Sequence, residues 1–215
     1  MYIQRRNSKD IFNESLNLLE GVAIADISLN TPENNQDERI FYITEDITIQ
    51  NIIEIIQQIN SINKYDDLQE KYFNIEGHVY NRKPITIYVS SFGGSVYDGL
   101  SLVGIIQSSK TPIHTIATGK VMSMGFIIAL VGHKRFCTKY TTFMVHSVSS
   151  FIWGTTKHME EDLAESKRVQ RILYDIIINK SKIYQSTLDN LTTKKIDWYF
   201  DEEQALKMNV VDEIL

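Results

Sequence analysis

From Arg39 onward, short apolar runs typical of strands alternate with longer amphipathic stretches typical of helices, and this alternation limits the fold more than any other feature. Strands that alternate with helices favour an α/β fold with a mainly parallel sheet. We predict strands at 39–43, 84–90, 113–117, 134–137 and 142–146. We predict helices at about 48–62, at 96–108, directly after Ser123 and at 160–180.

Two segments do not follow this pattern. Residues 1–38 are polar and irregular, and we interpret them as an N-terminal extension, with a short helix at 11–19, a strand at 22–27 and a loop at 30–38. Residues 63–82 mix charged and aromatic side chains, which favours an insertion on the surface. The remainder, residues 39–215, is long enough for one domain with a substantial core.

Composition excludes several function classes. The 22 basic and 27 acidic residues give a net charge of −5, and no Lys/Arg cluster indicates a nucleic-acid surface. No apolar run is long enough to span a membrane, and no apolar segment of the signal-peptide type follows Arg5-Arg6. The single cysteine, Cys137, cannot form an internal disulfide and is expected to be a buried, small apolar residue. Together these features predict a cytoplasmic protein that binds neither nucleic acid nor membrane.

Ser123 lies in the sequence TGKVMSMG, directly before an apolar run from Phe126 to Val131. A serine in such a turn is placed at the N-terminus of a buried helix, where free N–H groups and the helix dipole favour an anion. A nucleophilic serine needs this environment, because its attack on a carbonyl creates an oxyanion. An ordinary helix N-cap has the same local pattern, so this stretch alone leaves both interpretations open.

Three further features belong to the candidate site. Gly93-Gly94 follows one predicted strand, His146 ends another, and Asp197 lies among apolar residues. A carboxylate that is partly shielded from water needs a partner, and a histidine would suit it. Each feature also has a plain structural explanation. No Cys/His cluster has the spacing of a metal site.

Four blocks in order give the chain a specific resemblance: PITIYVSSFGGSVYDG at 84–99, GKVMSMG at 119–125, FMVHS at 143–147 and IDWYFDEEQALKMNVVDEIL at 196–215. From residue 39 to 215, about four-fifths of its length, the chain resembles the ClpP family, the proteolytic subunits of ATP-dependent Clp proteases. The resemblance implies a ClpP/crotonase-like α/β fold, with stacked, mainly parallel sheets, flanking helices and a protruding strand-helix handle at 151–180.

The same resemblance implies a Ser-His-Asp triad in a serine endopeptidase. Ser123 would be the nucleophile, His146 the general base and acid, and Asp197 the group that orients the histidine. The backbone N–H groups of Gly94 and Met124 would form the oxyanion hole. No metal belongs to this site.

For the assembly, the resemblance implies a homo-oligomer of two stacked seven-membered rings that encloses the active sites. An AAA+ unfoldase would deliver unfolded proteins or peptides, and only that partner would use ATP, so no cofactor is expected on this chain. The compartment would be the bacterial cytoplasm, or the host cytoplasm if a phage encodes the chain.

Several positions depart from the family pattern and suggest a divergent member, such as one encoded by a phage. They are Phe92 for a proline, Val121-Met122 for alanines, Ser147-Val148 for Gln-Pro, Lys195-Ile196 for Asp-Arg and Asn209 for a glycine. These changes leave open a non-catalytic subunit of a mixed ring. A crotonase-like acyl-CoA enzyme and a Ser-Lys hydrolase using Lys120 are further alternatives.

Overall fold

The computed structural model describes residues 39–75, 77–149 and 153–215. In these ranges the chain forms seven strands and six helices, which confirms the predicted α/β class. The strands are β1 (Ile40–Ile43), β2 (Ile85–Ser91), β3 (Ile113–Met122), β4 (Lys134–Cys137), β5 (Thr142–Val145), β6 (Trp198–Phe200) and β7 (Glu213–Ile214). The helices are α1 (Ile49–Ile75), α2 (Val96–Ser108), α3 (Met124–Leu130), α4 (Thr156–Lys180), α5 (Gln185–Lys194) and α6 (Glu202–Lys207). The elements predicted at 11–19, 22–27 and 30–38 lie outside the described residues.

The sheet is mainly parallel and branches at β3. Strands β1, β2, β3, β4 and β7 follow one another in parallel, while β5 pairs with the second half of β3 and β6 pairs antiparallel with β5. The first half of β3 pairs with β4, so this single strand supports both branches. The branching matters for the site, because it sets the end of β5 beside the end of β3.

Strand β3 is longer than the sequence suggested. We predicted that it ends near residue 117, but it continues to Met122. Gly119 adopts a φ of 60° where the register with β2 shifts between Val89 and Ser91. The glycine therefore accommodates an irregularity within the strand and does not end it. As a result, β3 runs directly into Ser123.

Helix α1 also differs from its prediction. It continues to Ile75 and not to about residue 62, so that it includes much of the segment interpreted as an insertion. Its buried positions are Ile52, Ile55, Ile59, Ile62 and Asp66, at the spacing of three and four that one helix face requires. Because the last of these is a carboxylate, the apolar pattern stops one turn before the buried face does. That residues 63–82 are an insertion relative to the family remains a prediction.

Helix α4 has two different halves. It begins at Thr156, four residues before the predicted start, and Thr155 caps it by accepting from the His158 N–H. Its second half buries Val169, Leu173, Tyr174 and Ile177 in the domain, whereas residues 156–164 are exposed. The strand expected at the start of the handle falls on a stretch that includes residues 150–152, outside the described residues. The handle at 151–180 therefore remains a prediction.

The core lies between the sheet and the helices, and it continues under the candidate site. Helix α3 is buried along its whole length. Phe126 in this helix makes edge-to-face contacts with Phe143 of β5 and Phe200 of β6, and these two rings stack on each other. The aromatic cluster holds β5 and β6 against α3, which fixes the strand ends that carry the site.

Candidate active site

Ser123 occupies a sharp turn between β3 and α3. Its φ of 52° and ψ of −122° are unusual for a residue with a side chain, and such conformations typically cost about 1–3 kcal/mol and cluster at functional sites. The Ser123 N–H donates to the carbonyl of Met144 at 2.9 Å, which ties the turn to β5. Its hydroxyl forms no capping hydrogen bond with α3. In this structure Ser123 therefore does not act as an ordinary side-chain N-cap.

The hydroxyl of Ser123 lies instead against His146. His146 Nε2 is 2.8 Å from Ser123 Oγ, within hydrogen-bonding distance. The sheet brings the two together, because Met122 and Met144 are partners in the parallel pair of β3 and β5 and both strands end at the same edge. A base in hydrogen-bonding contact with a hydroxyl is the arrangement by which serine nucleophiles are activated.

Asp197 is placed near His146 but less closely. Its Oδ1 lies 4.0 Å from His146 Nδ1, too far for a hydrogen bond. Its side chain is 53% exposed, so the carboxylate is only partly shielded from water. The neighbouring Ile196 is also exposed, and burial in this segment begins only with Trp198 and Phe200. The structure thus brings Ser123 and His146 into contact and leaves Asp197 as a looser neighbour.

The two glycines before α2 are required by close packing. Gly93 and Gly94 have φ values of 113° and 146°. A Cβ at Gly93 would lie 2.7 Å from Ser123 Cβ, and one at Gly94 would lie 2.4 Å from the carbonyl oxygen of Ile47. At Gly94 the backbone of Ile47 therefore leaves no room for a side chain.

The N–H groups predicted to form an oxyanion hole have no acceptor among the residues that the structure describes. Within the described part of the chain, neither Gly94 N–H nor Met124 N–H donates a hydrogen bond. Both residues line a small pocket together with Ser123 and His146. These two N–H groups are therefore not engaged by another described residue.

Sequence reasoning missed Gln170 in this site, and it did not distinguish the roles of the two glycines. Gly93 contacts the nucleophile turn more closely than Gly94 does, and only the tertiary structure shows which glycine faces Ser123. Gln170, on α4, lines the pocket and accepts a hydrogen bond from the Val148 N–H. A polar residue next to Val169 on the buried side of a helix was the one sequence feature that could have indicated it.

Other polar and titratable side chains that could be considered for catalysis have different surroundings. The Lys120 ammonium lies over the ring of Phe92, 4.1 Å from its centroid, so the structure gives no support to a Ser-Lys pair. His133 Nδ1 accepts a hydrogen bond from the Ile113 N–H, and burial lowers the pKa of His133 and of His114. Cys137 is buried, as predicted, and burial raises its pKa to about 11.

The described ranges lack two features that would bear on metal binding and on membranes. Among those residues, no three His, Cys, Asp or Glu side chains are grouped so that they could hold a metal ion. No helix in the same ranges combines the length and apolar character needed to cross a bilayer.

The fold and the site define an α/β protein with a serine-histidine pair at one edge of a mainly parallel sheet. The family model described as Clp protease matches residues 35–215. The chain therefore belongs to the Clp protease family, as its motifs predicted.

Curated relatives agree with this assignment. The chain is 29% identical to an ATP-dependent Clp protease proteolytic subunit of Deinococcus radiodurans, over 61% of this chain and 64% of that protein, slightly less than two thirds of its length. It is 28% identical to the corresponding subunit of Borrelia garinii, over 83% of this chain and 91% of that protein. It is 30% identical to the corresponding subunit of Carsonella ruddii, over 63% of this chain and 70% of that protein. The chain is thus a distant homologue of these subunits.

Proposed function

We propose that this chain is a serine-type endopeptidase that hydrolyses peptide bonds of unfolded polypeptides. The observation that carries the proposal is the 2.8 Å contact between Ser123 Oγ and His146 Nε2, made by a serine held at positive φ without a capping bond. Membership of the Clp protease family, whose curated members above are named proteolytic subunits, supports the same reaction.

In the proposed mechanism, Ser123 Oγ attacks the carbonyl carbon of the scissile bond while His146 Nε2 takes its proton. The carbonyl oxygen becomes an oxyanion, which accepts hydrogen bonds from the N–H groups of Gly94 and Met124. His146 then gives the proton to the leaving amine, and water hydrolyses the acyl-serine by the same steps. Asp197 would orient the imidazole once its Oδ1, now 4.0 Å from His146 Nδ1, comes within hydrogen-bonding distance.

We propose a self-assembled chamber of stacked rings as the working form, with ATP used only by a partner AAA+ unfoldase and no cofactor on this chain. The proposed compartment is the cytoplasm. Family membership supports assembly. The exposed first half of α4 also supports it, because the large apolar side chains of Trp153, Met159 and Leu163 are exposed in or beside it.

The test is covalent labelling of the purified protein with a fluorophosphonate, measured by intact mass, with Ser123→Ala in parallel. We expect one adduct on the wild type and none on the variant, because only a serine activated by its base reacts readily. Since the serine hydroxyl caps nothing, the variant should keep its fold, which circular dichroism can verify. An adduct on both proteins, or on neither, would contradict an activated Ser123.

One observation favours a second candidate, a non-catalytic subunit of a mixed ring. The loose and exposed Asp197 is what a subunit that has no catalytic role could tolerate. Such a subunit would remain unlabelled, also after assembly with a catalytic relative. Ser123→Ala would then leave the activity of the mixed ring unchanged, whereas in an active subunit it would lower that activity.

A further inference from the structure

The peptide unit between Gly93 and Gly94 carries one of the two donors of the proposed oxyanion hole, and its orientation decides where that donor points. The Ile47 N–H donates to the Gly93 carbonyl at 2.8 Å. In a trans peptide the N–H points opposite to the carbonyl, so the Gly94 N–H points away from Ile47. The contact with Ile47 therefore keeps this donor free of the loop between β1 and α1.

The same peptide unit lies beside the nucleophile turn. A Cβ added to Gly93 would be 2.7 Å from Ser123 Cβ and 3.1 Å from the Met124 nitrogen, which carries the second proposed donor. Glycines rotate readily, so contacts outside the turn must fix the peptide. A rotation would replace the Gly94 N–H with a carbonyl oxygen, which repels an oxyanion.

Ser91, at the end of β2, connects both sides of the contact with Ile47. Its side chain is fully buried. Its Oγ accepts from the Gly93 N–H at 3.1 Å. The hydroxyl donates to the Glu45 carbonyl at 2.6 Å, which is much closer than the Gly93 carbonyl at 3.4 Å. Because Glu45 lies two residues before Ile47, one hydroxyl fastens both the glycine turn and the loop that holds it.

We propose that Ser91 is a positioning residue of the oxyanion hole, whose hydroxyl keeps the Gly93–Gly94 peptide in the orientation that offers the Gly94 N–H to the oxyanion. Without this hydroxyl, the Gly93 N–H and the Glu45 carbonyl lose a buried partner, and the turn and the loop are no longer held together. The peptide then rotates more freely, and a donor is lost where negative charge develops. This inference rests on the proposed peptidase function.

The experiment measures inhibition of the full chain by a peptide aldehyde and by the alcohol of the same sequence. The serine oxygen bonds to the aldehyde carbon, and the former carbonyl oxygen of this hemiacetal occupies the proposed hole, whereas the alcohol binds without such a bond. One oxyanion-hole donor is typically worth about a hundredfold or more, so we expect Ser91→Ala to weaken aldehyde binding at least about tenfold. Binding of the alcohol should stay unchanged, and peptide cleavage should show a lower kcat at a similar KM.

Thr115→Val is the matched control. The Thr115 hydroxyl is also buried and donates to a backbone carbonyl, that of Ala129, at 2.6 Å. This bond joins β3 to the C-terminal end of α3 and not to the glycine turn, so the variant should lose stability in urea but keep the wild-type ratio of aldehyde to alcohol affinity. Ser91→Cys keeps a weak donor and acceptor, so its ratio should lie between those of the wild type and Ser91→Ala. If Ser91→Ala does not fold, Ser91→Cys decides.

A wild-type ratio in the Ser91 variants, or an equal loss in Thr115→Val, would overturn the inference while the proposed function stands. A wild type that a fluorophosphonate labels but that does not prefer the aldehyde would also contradict it. A wild type with neither the label nor the preference would overturn the proposed function, and the inference with it.

Discussion

At the scale of single residues, the site depends on how closely backbone segments approach Ser123. Gly93 packs against the serine, and Gly94 packs against Ile47, which also donates its N–H to the Gly93 carbonyl and accepts from the Ser95 N–H. These contacts hold the glycine turn against the segment before α1. The nucleophile turn is consequently held in its unusual conformation by neighbours on two sides.

Gly93→Ala tests this packing. Its new Cβ would lie 2.7 Å from Ser123 Cβ, which is too close for two carbon atoms. The residue would also keep a φ that side chains rarely adopt. Misplacement of a nucleophile by about 1 Å can cost on the order of a hundredfold in rate, so we expect labelling by the fluorophosphonate to slow at least that much. Gly104→Ala is the control, because a Cβ there meets nothing within 4 Å. Equal labelling rates for the two variants would contradict the argument.

At the scale of elements, helix α1 is anchored at its middle by a buried ion pair. Asp66 is fully buried, and Arg39 donates to both of its oxygens at 2.7 and 3.0 Å. The hydroxyls of Tyr80 and Thr111 donate to the same carboxylate. The network joins the start of β1, the helix and the segments that precede β2 and β3.

Asp66→Asn should destabilise the fold by about 3–5 kcal/mol, because it leaves the buried Arg39 guanidinium without its counter-charge. Urea unfolding measures this loss. Asp67→Asn is the control, since the Asp67 side chain is 36% exposed and Arg82 keeps a second carboxylate partner in Glu70, so the loss should be much smaller. Similar losses for the two variants would contradict the special role of the buried pair.

The same pair predicts a pH dependence in the wild type. Burial raises the pKa of Asp66, but hydrogen bonds from Arg39 and two hydroxyls outweigh it and hold the pKa below the usual 3.8. Because the pKa of Asp66 is lower in the folded chain than in the unfolded chain, its ionised form stabilises the fold. This contribution is complete at pH values above the unfolded pKa of about 4, and it is lost as the pH falls through the folded pKa. The difference in stability between wild type and Asp66→Asn should therefore shrink below pH 4.

At the scale of the whole molecule, the exposed half of α4 is where the proposed assembly can be tested. Leu163 is 47% exposed and lies one turn after Met159, so the two form an apolar stripe. Leu163→Glu should reduce the sedimentation coefficient of the assembled protein, because a carboxylate would be buried in the contact between subunits. Ala164→Glu adds the same charge away from the stripe and should have less effect. An unchanged oligomer in Leu163→Glu would contradict this contact.

The sequence by itself determined the α/β class, the family and the residue types of the candidate site, since these follow from local periodicity and from short motifs. It did not determine the length of α1, because Asp66 continues the buried face with a charge that Arg39, Tyr80 and Thr111 make tolerable. Nor did it show that β3 continues through Gly119 to the serine.

Only the tertiary structure decided how the candidate site is arranged. The parallel pairing of β3 and β5 sets Ser123 and His146 2.8 Å apart, although 23 residues separate them in the chain. The same packing leaves Asp197 exposed and places Gln170 in the pocket wall. Distances between residues far apart in sequence depend on register and packing, and no local pattern in a chain specifies them.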